Sequence, residues 1–308
     1  MLFQLFLNVC APIFVIVALG WVLDRKFHLQ LDSLVKLNIY LMVPAFIFTH
    51  VLDTELAGRE AIRIVAFTLS TIALMFGFSW IAARCFKMPR RERQSLSLAT
   101  MFYNCGNYGL PLLTLAFGHG AAAIQIYVLA TMNVATYTIG LYLAQSHGES
   151  AGSHRKALAK VLRQPTIYAL LAAILCKSLE FPVKEIIWIW QPLDLLQSGL
   201  IGVALVTLGV QMSQTRPAPF RAPLWSAIGL RLVAAPLLSV PLVLVLGFSP
   251  EASAALILAS AAPTAVNTAM LAHEFDGDVP FSTSAVYYST IFSMFTTTAL
   301  LYILKLWL

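Results

Sequence analysis

Apolar residues along this chain come in blocks of about twenty, separated by short polar connections. Blocks of that length are too long for strands and long enough to cross a bilayer as helices. The pattern predicts an all-α membrane protein with ten spans, at about 3–23, 33–52, 61–84, 94–117, 121–144, 158–179, 193–212, 222–246, 251–272 and 281–306. The longest polar stretch, residues 145–164, divides five spans from five. Its Gly- and Ser-containing centre reads as a flexible linker at 146–157, between a first half (1–145) and a second (158–308).

The fourth block breaks its own pattern. Tyr103-Asn104-Cys105-Gly106-Asn107-Tyr108-Gly109-Leu110-Pro111 puts amides, hydroxyls and helix-weakening residues where a lipid-facing helix should be most apolar. Non-helical backbone at membrane depth survives only under protein or beside a wet cavity. The ninth block has a weaker interruption at Pro263-Thr264-Ala265-Val266-Asn267. Two interrupted spans in corresponding places of two halves point to a transport site.

Composition sharpens the picture. Of 308 residues 59% are hydrophobic and 11% charged, and mean hydropathy is +0.80; soluble domains carry about 25% charged residues. The net charge of +6 sits mostly in connections, so it reads as a topology signal, with no nucleic-acid partner expected. Odd-numbered connections hold thirteen Lys and Arg against four in the others. That bias predicts a multi-pass cell-membrane protein with both termini on the non-cytoplasmic side, and two halves of opposite topology. No basic leader precedes the first apolar run, so no cleaved signal is expected. The four cysteines are scattered, which argues against disulfide or zinc chemistry; no metal and no cofactor are expected.

Asn104, Asn107 and Asn267 are expected at membrane depth, where an unpaired amide costs several kcal/mol. Each must bond protein, as polar glue between helices, or ligand. A broken helix also exposes N–H groups at the start of its second half, an anion site that needs no cationic side chain. Asn104 and the backbone around Gly106 and Pro263 would contact the anion, Tyr103, Asn107, Thr264 and Asn267 would line the pocket, and Gly109 and Pro111 would help shape the backbone of the break. Arg231 is the one cation deep in a span; it could meet a substrate carboxylate or a helix C-terminus. No acidic residue falls at mid-span, which disfavours ion coupling through buried carboxylates, and His50, ending span 2, reads as an interface residue. The intramembrane serines have no His or Asp partner in sight, so no enzyme is expected.

Asn104-Cys105-Gly106-Asn107-Tyr108-Gly109-Leu110-Pro111-Leu112 resembles the fourth-helix signature of the auxin efflux carrier family, near N-x-G-x-x-G-x-P-L in its bacterial members. Residues 11–20, Leu37-Asn38-Ile39-Tyr40 with Pro44-Ala45, and Pro263 with Leu271-Ala272-His273-Glu274-Phe275 are similar to its first, second and ninth helices. The resemblance implies two inverted five-helix repeats whose helices 4 and 9 are broken and cross at mid-membrane. Spans 1, 2, 6 and 7 would be a scaffold and homodimer interface; spans 3–5 and 8–10 would be a transport domain moving as an elevator. The substrate implied is a small organic anion, auxin in plants and malonate or other carboxylates in bacteria. The plant Pro-Asn crossing pair aligns with Tyr103-Asn104, so the asparagine carries over and the proline does not; Pro263 matches the crossing proline of helix 9. A sodium-coupled symporter of the related bile-acid fold, or a membrane sensor that binds without translocating, are the other readings.

Overall fold

Seven of the expected spans form continuous helices long and apolar enough to cross a membrane: Leu2–Phe27, Leu31–Asp53, Gly58–Cys85, His119–Gly140, Ile187–Gln214, Ala222–Leu246 and Val279–Trp307. They are seen in a computed structural model that describes residues 2–54, 58–140, 142–143, 162–275 and 277–307. The expected linker at 146–157 lies outside the described residues. The sixth block is the shorter helix Pro165–Ser178. The seventh starts at Ile187, several residues earlier than its hydropathy suggests, and carries Pro192 inside it. Blocks four and nine are interrupted, as Arg90–Met101 and Leu110–Phe117 joined through a π-turn at Cys105–Gly109, and as Pro250–Ser260 and Asn267–Glu274.

Proline shapes several of these helices in one recurring way. π-Turns at Phe6–Cys10, Asn38–Met42, Cys105–Gly109 and Leu230–Ala234 each end two residues before a proline: Pro12, Pro44, Pro111 and Pro236. A proline has no N–H to give and crowds the carbonyl four residues back. Widening the preceding turn relieves both. Pro111 therefore starts a helix, at the first turn of Leu110–Phe117, rather than breaking one. Helix ends follow ordinary signals: Gly247 stops Ala222–Leu246 in the left-handed region (φ 68°), and the Ser249 hydroxyl caps Pro250–Ser260 by accepting from Ala252 N–H at 3.2 Å.

The exterior is apolar. Val245, Trp188 and Leu195 are 83%, 78% and 73% exposed, in a surface studded with Leu, Ile, Phe and Trp that water would not tolerate. The polar side chains turn inward. Along Val279–Trp307, Ser289, Thr290, Ser293 and Thr297 are fully buried, each donating to a carbonyl three or four residues back.

Ile187–Gln214 packs most heavily on Leu2–Phe27, and Pro165–Ser178 on the second half of Leu31–Asp53. Gly58–Cys85 instead packs on Arg90–Met101, His119–Gly140 and Ala222–Leu246. The first contact is backbone on backbone. A Cβ on Gly209 would fall 2.0 Å from the Val17 carbonyl oxygen, and one on Gly20 would fall 2.4 Å from that of Val206. Gly209→Val is therefore expected to force the two helices apart and cost about 1–3 kcal/mol. Gly202→Ala, with open space at its Cβ, should cost far less. Unfolding midpoints of the two purified variants, side by side, check this.

Candidate functional site

The two interruptions meet. Past Met101 the chain straightens: Phe102 is extended (φ −108°, ψ 124°) and Tyr103 forms an antiparallel bridge with Thr264. Asn104 N–H donates to the Pro263 carbonyl at 2.7 Å, and Ala265 N–H donates to that of Phe102 at 3.0 Å. Each interruption thereby satisfies backbone groups of the other, which a buried site requires. Thr264 is pinned twice more. Its N–H donates to Ser289 Oγ at 3.0 Å and its hydroxyl to the Ala99 carbonyl at 2.9 Å.

Four helix ends converge here, and they are treated unequally. The C-terminal ends of Arg90–Met101 and Pro250–Ser260 share one cation. Arg231 is fully buried; Nη1 donates to the Thr100 carbonyl at 2.7 Å and Nη2 to the Ser260 carbonyl. The guanidinium also lies 4.8 Å from the centre of the Tyr103 ring. The negative ends of two helix dipoles are thus neutralised by one planar fork. Of the two roles open to Arg231 in the sequence, these bonds are to helix ends.

The N-terminal ends of the following segments have no such charge partner and flank a cavity of about 820 Å³. Asn104 caps the first: its Oδ1 accepts from Asn107 N–H at 3.1 Å. With Oδ1 committed, Nδ2 is the free donor, and this buried atom has no partner among the described residues. Asn107 is held from another helix, its Oδ1 accepting from Asn38 Nδ2 at 2.8 Å. Gln125 Nε2 donates to the Cys105 carbonyl at 2.6 Å. The same atom lies 2.6 Å from where a Cβ on Gly109 would sit, so any side chain there would have to displace the Gln125 amide.

Of the residues the sequence nominates, Tyr103, Asn104, Gly106, Asn107 and Asn267 line the cavity. Pro263 and Thr264 stand behind the wall as bridge partners, Gly109 and Pro111 within the second segment, and Arg231 behind the bridge. Asn38, part of the second-helix motif, and Asn133 and Tyr137, among several polar residues of the fifth block, also line it and were not nominated as site residues. No lysine or arginine is among the described lining residues. Apolar Val35, Ile39, Val43, Leu129, Val266 and Met270 share the remaining wall with Gln164, Thr166 and Gln211, while exposed Asp32, Gln214, His273 and Glu274 stand where the cavity meets the surface.

A family described as "Membrane transport protein" matches residues 5–301 of this chain. The chain belongs to that family. It is the family of the auxin efflux carriers, the one its fourth-helix motif resembles. An uncharacterized transporter of Methanothermobacter thermautotrophicus is 24% identical over 286 residues, covering 92% of this chain and 93% of that protein. With its apolar helices, this makes the chain a multi-pass membrane transporter.

Proposed function

We propose that this family member is a secondary transporter of a small organic anion, a carboxylate by chemistry, bound where the two interruptions pair. One observation carries the reading: Arg231 occupies both C-terminal helix ends, while both N-terminal ends face the cavity beside a free amide donor. The two ends present positive dipole ends to the cavity without a cationic side chain, suited to a carboxylate, and the acids Asp32 and Glu274 are exposed at its mouth. The apolar wall suits a substrate with a hydrocarbon body.

In this reading the chain has ten spans in two inverted repeats, with spans 4 and 9 crossing at their interruptions. The grouping of packing contacts supports a scaffold of spans 1, 2, 6 and 7, which would also form the homodimer, and a transport domain of spans 3–5 and 8–10 that slides against it. The cavity mouth lies at Asp32 and Gln214, beside connections rich in basic residues. By the charge bias that side is cytoplasmic, so the conformation is inward-facing, with both termini outside.

The test is thermal unfolding of the purified protein against mono- and dicarboxylates and their neutral amides, with and without sodium. A carboxylate at 100 times its dissociation constant should stabilise the protein by about 2.7 kcal/mol, and its amide should not. Stabilisation only in sodium would favour the coupled symporter. Binding without flux into liposomes would favour a sensor. Amides that stabilise as well as acids would count against the anion site.

A further inference from the structure

A second polar cluster lies far from the cavity. Asp32 stands at the cavity mouth, and His50 lies 18 residues further along the same helix, about 27 Å at 1.5 Å per residue. There His50 is buried, its ring stacked on Phe46 with centroids 3.7 Å apart. Its Nδ1 lies 3.1 Å from the Phe46 carbonyl. A carbonyl can only accept, so Nδ1 carries the hydrogen and Nε2 is the acceptor. His119, exposed at the start of His119–Gly140, places its own Nδ1 3.3 Å from His50 Nε2. His119 therefore donates and His50 accepts. This bond ties the second span to the fifth, across the boundary between the scaffold and transport groups.

The protonation chemistry of the pair follows from its geometry. One added proton leaves a donor and an acceptor between the facing nitrogens and keeps the bond, now charge-assisted. A second proton puts a hydrogen on both. Two N–H groups then face each other, the bond is gone and two cations repel. Of the charged groups near the pair, Asp53, one turn on, attracts a charged His50, but it is itself engaged by Lys184. Lys177 reaches in from Pro165–Ser178 to the carbonyls of Val51 and Thr54.

We propose that His50 and His119 form a proton-binding latch on the face opposite the cavity mouth. It holds spans 2 and 5 together at neutral pH and releases them when the pair takes its second proton. The proposal rests on the division into scaffold and transport domain put forward above. It makes the outward-open state the one favoured in acid.

The experiment measures the distance between nitroxides at Leu115→Cys and Leu179→Cys, both exposed and one on each side of the boundary. The full-length protein is used, with its four native cysteines replaced. Between about pH 8 and pH 5 the ratio of long to short distances should rise roughly tenfold, the loss of one hydrogen bond to a charged group. His119→Gln and His50→Gln should each abolish that dependence. Two populations that ignore pH would overturn the latch and leave the domain movement standing. One unchanging population, or a pH response that survives both substitutions, would overturn the latch as well.

Discussion

Replacing Arg231 with methionine is expected to be the most damaging single change in the protein. The side chain is buried completely and donates to two carbonyls that end two different helices. Methionine fills much the same volume and supplies neither donor. A hydrogen bond to a charged group contributes about 1.5–3 kcal/mol, so losing two costs about 3–6 kcal/mol. That is a large share of a stability of about 5–15 kcal/mol. It should lower the unfolding midpoint by about 10 °C and leave much of the protein aggregated on size exclusion. Arg231→Lys should recover less than half of the loss, because an ammonium lacks the planar fork that spans both carbonyls. If Arg231→Met keeps its midpoint and its monodispersity, the guanidinium is not what holds the paired interruptions together.

Asn104→Asp should act in the opposite way, sparing the fold and removing function. A carboxylate still offers an oxygen to Asn107 N–H, so the cap survives. The free Nδ2 donor is lost, and a negative charge stands where an anion would bind. A lost hydrogen bond to a carboxylate corresponds to about 10–100-fold in affinity, and repulsion adds to it. Asn104→Ala should show the first part alone, together with a modest loss of stability from the missing cap, about 1 kcal/mol. Carboxylate titrations of the three proteins, read by thermal shift, check this. Equal affinity in wild type and Asn104→Asp would take Asn104 out of the site.

Much of this arrangement could be read from the chain, because its signals are local. A block holding Asn104, Gly106, Asn107 and Gly109 could not continue as an ordinary lipid-facing helix, and Pro263 marked the second interruption. What could not be read is how the two would satisfy each other. Pro263 matters through its carbonyl, which takes Asn104 N–H, and a carbonyl has no signature in sequence. Arg231 was legible as a deep cation, but which helix ends it serves depends on contacts 131 and 29 residues away. Asn38 bonds Asn107 across 69 residues, and its place in the second-helix motif gave no sign of that partner. Pro111 looked like a breaker by propensity. The π-turn at Cys105–Gly109 lets it begin a helix instead. The early start of Ile187–Gln214 was hidden because its Trp188-Ile189-Trp190 turn continues through Pro192 at no visible break.

The central claim is that two positive helix ends, with their negative counterparts neutralised by Arg231, select for a negatively charged solute. Charge movement on a solid-supported membrane bearing the reconstituted protein tests it most directly. A concentration jump of a monocarboxylate should give a saturable current with the sign of entering negative charge. The matched neutral amide and a matched amine should give none. Currents of equal size from acid and amide, or a response to the amine alone, would contradict the account.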